Sequence, residues 1–182
     1  MFRYVLPVIL VGGKSSRMGK PKQYIFFKSY SFLDHSLNLL FDIGFSFVFL
    51  SGLCFGYSYV SDVLIDVGPI SSFHGIFLDQ YFKFFFHFFF VSTDMPFLSK
   101  SLIYYLIFYS YRNFSYYYSL SFFPFLFSTF SNIMYFFHIC KYKKISMYFF
   151  LKFIFSRPYF VLFFYKREFL NVNTFFDLFL KK

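Results

Sequence analysis

The 182-residue sequence has no tryptophan, a single glutamate (Glu168) and only two cysteines. Cys54 and Cys140 are far apart and make no metal-ligand spacing, so two buried thiols in a reducing, cytoplasmic compartment are the expectation. Negative charge is scarce throughout: eight Asp and Glu face 18 Lys and Arg, for a formal net charge of +10. Such a surplus invites a nucleic-acid reading, because clustered cations neutralise phosphates. The cations, however, fall in short groups near 14–28, 141–144, 166–167 and the last two positions, with no run long enough for a polybasic arm. A few cations around a nucleoside triphosphate, together with a general drift towards lysine, account for the surplus, and no nucleic-acid partner is expected.

Charge is also missing from one long stretch, Asn113 to Cys140. A membrane-spanning helix needs about 20 consecutive apolar residues. Here serines, a threonine, asparagines and Pro124 interrupt the apolar blocks every few residues, so an unusually aromatic core is expected and no span. The apolar start of the chain ends at Val11 in a glycine-rich loop without a small-residue cleavage site, which predicts a first strand and not a signal peptide. Phenylalanine (39) and tyrosine (18) fill helices, strands and loops alike. Aromatic positions therefore carry little positional information in this chain, and each Gly, Asp, Arg or Met carries more.

The order of elements reads as α/β. Residues 4–11 form a short apolar run rich in β-branched residues, as in a central parallel strand. Ser31 with Asp34 three positions on predicts a capping box, Leu33, Leu37 and Leu40 mark one helical face, and Gly44 stops the helix. Strands are expected at 45–51 and 60–67, a helix of about 10–12 residues after Gly68-Pro69, and a wholly apolar strand at 84–92. A Ser99-capped helix to about Ser110 follows. Beyond it, strands near 115–120, 123–127 and 159–165 and helices near 129–140, 145–155 and 174–181 complete the pattern. The expected fold is a mostly parallel twisted sheet with helices on both faces, in one domain spanning 1–182. Ligands of such sheets sit beyond the carboxyl ends of the strands, which gathers 12–22, 66–75 and 93–96 into one site.

The loop 12–22 carries Gly12, Gly13 and Gly19, Ser15 and Ser16, and the four cations Lys14, Arg17, Lys20 and Lys22. Glycines let backbone N–H groups approach an anion closely, hydroxyls add donors, and the cations balance a triphosphate. A solvated turn would satisfy part of this pattern, but a phosphate loop accounts for all of it. A P-loop is excluded, because five residues separate Gly13 from Gly19 and Pro21 stands where Ser or Thr is required. A dinucleotide fingerprint is excluded by the absence of G-x-G-x-x-G. Asp94, just after the apolar strand, is either a turn residue before Pro96 or a carboxylate for Mg²⁺, which takes one or two carboxylates plus phosphate oxygens.

Four strings resemble those of the molybdenum cofactor guanylyltransferases. Ile9–Gly19 is similar to the family's L-A-G-G-x-S-x-R-M-G, with Val11 for Ala, and Ser92-Thr93-Asp94-Met95-Pro96 to its C-D-M-P motif. Asp66 with Gly68-Pro69 resembles its V-I-x-D and G-P-L-A-G, although Ser71-Ser72 stands for Ala-Gly. The stretch Phe169–Leu178 resembles F-x-N-[VI]-N-T-P-E-[DE]-L, with Phe175-Phe176 for Pro-Glu. The resemblance implies a nucleotidyltransferase that transfers GMP from GTP to molybdopterin and releases pyrophosphate. It implies nucleotide contacts from Leu10, Val11, Gly12, Gly13, Ser15, Lys22, Asp66 and Asp94, with Mg²⁺ on Asp94. Lys22, Arg17 and Asp94 would carry the catalysis, and Asn171 and Asn173 would face the pterin. Residues 1–97 would then serve the nucleotide and 98–182 mostly the pterin side, in a monomer or weak homo-oligomer. Two rival readings remain open. Pro21-Lys22-Gln23-Tyr24 resembles the P-K-Q-Y of cytidylyltransferases of isoprenoid synthesis, and the departures at Val11, Pro21, Ser72 and Phe175 fit a non-catalytic relative.

Overall fold

The computed structural model describes residues 4–12, 19–52, 54, 56–57, 59–60, 69–78, 85–109, 115–119, 121–129, 146–153, 157–159, 168–169, 171–174 and 177. One seven-stranded sheet organises them. In chain order its strands are β1 (Val5–Leu10), β4 (Phe49–Ser51), β5 (Tyr59–Val60), β6 (His87–Ser92), β7 (Tyr116–Tyr118), β8 (Ser121–Ser128) and β9 (Arg157–Tyr159). A separate ribbon pairs β2 (Phe26–Phe27) with β3 (Tyr30–Ser31). The helices are α1 (Phe32–Ile43), α2 (Pro69–Leu78), α3 (Lys100–Tyr109) and α4 (Met147–Phe153). No helix among the described residues is long and apolar enough to cross a membrane.

Spatial order in the large sheet is β5-β4-β1-β6-β8-β7-β9. The β1–β4, β4–β5, β1–β6 and β7–β9 pairs are parallel, while β8 runs antiparallel to both neighbours. The expected mostly parallel sheet is thus present, with one reversed strand. Both central strands are apolar because both faces are covered: all of β1 is buried, as is β6 up to Val91. Pro124 lacks an N–H and falls where the β7–β8 register shifts, between the pairs Tyr117–Phe125 and Tyr118–Ser121.

The expected capping box opens α1. The Ser31 hydroxyl accepts from the Asp34 N–H (3.1 Å), and the Asp34 carboxylate accepts from the Ser31 N–H (3.2 Å). Gly44 closes the helix with φ of 108°, a left-handed conformation that a Cβ disfavours. The Phe45 N–H then turns back to the Leu40 carbonyl (3.3 Å), as in a Schellman closure. This explains why the strand expected from 45 begins only at Phe49: Phe45 is still finishing the helix. Similarly, α3 begins after Ser99 as expected, but its amino end is held from a distance. The Ser99 N–H donates to the Glu168 carboxylate (3.0 Å), and the Ser99 hydroxyl pairs with Ser101.

The main core lies between β6, β8 and the helices over them. Phe73 of α2 packs against Phe90 of β6 (4.2 Å between ring centroids) and Phe150 of α4 (5.3 Å), while Phe90 stacks with Phe125 of β8 (6.1 Å). A smaller cluster joins Ile25, Phe32 and Val172, with Phe27 and Phe97 against it. It fastens the tail segment to the turn after Lys22. All but the first residue of the helix expected at 129–140, most of that at 174–181 and residues 160–165 of the last strand lie outside the described residues, as does Cys140. Cys54 is a buried free thiol.

Candidate active site

The chain order reverses at β1. From β1 it proceeds outward to β4 and β5, then crosses back so that β6 lies on the other side of β1. Such a switch point leaves a crevice outside the carboxyl ends of the two strands, because their connections leave in opposite directions. The segments Leu10-Val11-Gly12 and Ser92-Thr93-Asp94 both emerge there. Parallel register places Leu10 beside Ser92, and Thr93 donates to the Leu10 carbonyl from its N–H and its hydroxyl, each at 3.4 Å.

Val11 is held from the other side by β4, its N–H donating to the Ser51 carbonyl at 2.7 Å. The next residue, Gly52, has φ of 104°, and a Cβ there would lie 1.7 Å from the Val11 carbonyl oxygen. Only glycine lets the two backbones pass this closely. A side chain at Gly12, by contrast, would meet nothing within 4 Å among the described residues. Ser51 is buried, with no hydrogen-bond partner for its hydroxyl oxygen among the described residues. Neither Ser51 nor Gly52 stood out in the sequence; a glycine directly after a predicted strand was the available signal.

The acidic centre is Asp94. One carboxylate oxygen, Oδ1, accepts from the Ser92 hydroxyl (2.7 Å), and the other, Oδ2, accepts from the Lys22 ammonium (3.0 Å). Both partners of this ion pair are largely shielded, with side-chain exposures of 15% for Lys22 and 14% for Asp94. The Lys22 ammonium also donates to the Asn173 side-chain carbonyl (2.7 Å), 151 positions along the chain. Lys22 itself opens a 3-10 turn to Tyr24, whose N–H donates to the Pro21 carbonyl (3.1 Å). Proline suits this position: its φ of −57° is the one its ring imposes.

The tail reaches the site by alternation. In Asn171-Val172-Asn173 the valine is fully buried and both asparagines are exposed. The Val172 N–H donates to the Asp94 carbonyl (2.8 Å), and the Asp177 carboxylate accepts from the N–H groups of Asn173 (2.8 Å) and Thr174 (2.7 Å). The structure thus brings Leu10, Val11, Gly12, Lys22, Asp94 and Asn173 to one edge of the sheet, with Asn171 two residues from the Lys22 contact. Gly13, Ser15, Arg17 and Asp66 lie outside the described residues.

Among the described residues no group of three or more His, Cys, Asp or Glu could form a protein-only metal cage. The donor set fits Mg²⁺ nonetheless, since this ion is commonly held by one or two carboxylates together with substrate phosphates. An α/β sheet with a lysine, a carboxylate and glycine-bordered backbone at its switch point has the place and the groups for an anionic ligand and its cation. The family model for the MobA-like NTP transferase domain matches residues 7–113, and the chain belongs to that nucleotidyltransferase family.

Solved structures share the fold. Molybdopterin-guanine dinucleotide biosynthesis protein A from Archaeoglobus fulgidus superposes with a TM-score of 0.72 at 16% identity, over 97% of this chain and 95% of that one. The 4-diphosphocytidyl-2C-methyl-D-erythritol synthase from Anaerococcus prevotii gives 0.70 at 10% identity, over 98% and 96%. Rv0371c from Mycobacterium tuberculosis, solved as a manganese complex, gives 0.58 at 14% identity, over 87% and 88%. Comparison with curated proteins finds no match.

Proposed function

We propose that the protein transfers GMP from GTP to molybdopterin. The observation that carries this reading is the Lys22–Asp94–Asn173 cluster. It joins the lysine of the first loop, the acid after β6 and the asparagine of the tail, three motifs that share a family resemblance but no proximity in sequence. In this reading residues 1–97 serve the nucleotide and 98–182 mostly the pterin. Asn173 meets Lys22 at the boundary between them.

The terminal phosphate of molybdopterin attacks the α-phosphorus of GTP, a new phosphoanhydride bond forms, and the bond to the β-phosphate oxygen breaks as pyrophosphate leaves. An ionised phosphate is already a nucleophile, so no general base is needed; the protein's task is to hold two anions in line and offset their charge. Asp94 would hold Mg²⁺, which supplies charge neutralisation on the phosphates when bound. The solved manganese complex of Rv0371c supports the use of a divalent cation. Leu10, Val11 and Gly12 border the nucleotide with Gly13, Ser15 and Asp66, while Lys22 and Arg17 stabilise charge on the α-phosphate and the departing pyrophosphate. Asn171 and Asn173 hydrogen-bond the pterin.

The test is pyrophosphate release by purified protein with Mg²⁺ and molybdopterin, comparing GTP with CTP and including Asp94→Ala. Release with GTP that disappears in the variant is the expected result. Release only with CTP and a methylerythritol phosphate would transfer the assignment to the cytidylyltransferases, which the A. prevotii likeness and Pro21-Lys22-Gln23-Tyr24 favour. Silence with both would mark a non-catalytic relative.

A further inference from the structure

We propose that Ser92 is a positioning residue for Asp94, fixing the orientation in which its carboxylate is offered to a cation; this rests on Asp94 being the metal carboxylate. Ser92 ends β6 in register with Leu10, so its backbone belongs to the central sheet. Thr93 is tied to the Leu10 carbonyl, and the Asp94 carbonyl is tied to the Val172 N–H at 2.8 Å. Backbone on both sides of the Asp94 side chain is therefore held, and the remaining freedom is that of the side chain: χ1 and the rotation of the carboxylate. That terminal torsion is broad and roughly two-fold, so staggering alone does not choose an orientation.

The Ser92 hydroxyl supplies the choice. Ser92 ends β6 two positions before Asp94, and across the turn that follows its hydroxyl donates to Oδ1 at 2.7 Å. Thr93, between them, sends its hydroxyl the other way, to Leu10. With Oδ1 engaged, Oδ2 turns to the cation side, where the Lys22 ammonium meets it at 3.0 Å. Asp94 would offer this oxygen to a bound metal–nucleotide, and the Lys22 ammonium would then be available to a phosphate. The Asn173 bond at 2.7 Å keeps Lys22 at the site during this exchange. Without the Ser92 hydroxyl the carboxylate rotates, and the metal meets an acceptor that is present but not aimed. Partners that orient a metal ligand typically contribute about 10–100-fold to metal affinity.

The experiment measures affinity for Mn²⁺–nucleotide by water-proton relaxation, with GTP and CTP in parallel so that base preference does not decide the outcome. Wild type, Ser92→Ala, Ser92→Cys, Ser92→Thr and Asp94→Ala are compared, with unfolding temperature as a control on folding. Ser92→Ala and Ser92→Cys are expected to weaken Mn²⁺–nucleotide binding about tenfold, while Ser92→Thr, which keeps the hydroxyl, stays within about twofold of wild type. Should Ser92→Ala fail to fold, Ser92→Cys reads the same quantity at nearly native size. If Asp94→Ala abolishes binding while the alanine and cysteine variants bind as wild type, the role of Ser92 is overturned and the metal site stands. Unchanged binding in Asp94→Ala overturns both.

Discussion

The two sides of the sheet are built from the same aromatic-rich alphabet and do different work. On one side β5, β4, β1 and β6 run parallel, and their carboxyl ends deliver Gly12, Ser51, Gly52, Ser92 and Asp94 to one edge. On the other side β8 reverses direction, and the residues described there are mainly packing groups. Phe125 and Phe127 are fully buried, and the Tyr118 hydroxyl donates to the Leu102 carbonyl of α3. Direction explains the contrast at β8, which runs against both its neighbours. Parallel strands pile their carboxyl ends together, so any polar residue after them faces a shared crevice. A reversed strand sends its end to the opposite edge, where a polar residue joins no such cluster and a large ring fills the core.

This division predicts that fold and chemistry can be broken separately. The largest effect is expected for Phe125→Ala on the reversed strand. Phe125 touches Phe73, Phe90, Phe127 and Phe150, and the cavity should cost about 3–5 kcal/mol in urea denaturation. Lys22→Ala should act mainly on the chemistry, lowering pyrophosphate release roughly 10²–10³-fold, with a smaller loss of stability because shielded Asp94 loses its cation. Gly52→Ala should cross the division, because its Cβ would collide with the Val11 carbonyl. Strain of about 1–3 kcal/mol should appear in unfolding, together with weaker nucleotide binding.

Glu168→Gln tests the link from the tail to α3. Loss of the charged acceptor for the Ser99 N–H should cost about 0.5–1 kcal/mol in stability, without changing turnover. A pH-dependent effect concerns His87 on β6, whose pKa is lowered by burial to about 4 from an ordinary 6.5. Between those values the unfolded chain takes up a proton that the folded chain refuses. Stability should therefore fall as pH drops from about 6.5 towards 4, and the dependence should be shallower in His87→Gln. An equal slope in that variant would assign the effect to other groups.

Much of the nucleotide side was legible because its signals are local. The capping box at Ser31 and Asp34, the stop at Gly44 and the buried strand before Gly12 each depend on residues a few positions apart. The turn near Lys22 was legible only in part: the groups that hold the lysine, Asp94 and Asn173, lie 72 and 151 positions away. Glu168 beneath α3 and Gly52 against Val11 were invisible for the same reason, since neither contact leaves a periodic trace. On the far side the reversal of β8 was missed because Phe and Tyr occupy both faces of its strands. A period of two cannot be read where every position is apolar.

The alternating tail segment has a consequence for biosynthesis. Synthesis proceeds from the amino terminus, and early parts of a chain can begin to fold before later ones exist. Lys22 and Asp94 are therefore available to pair well before Asn171, Val172 and Asn173 leave the ribosome. Only then can Val172 enter the cluster with Ile25 and Phe32 and bring Asn173 onto the lysine. A nascent chain paused before residue 171 would hold most of the sheet and an unfinished centre, so assembly of the site becomes a late report that the chain has been made at least to Asn173.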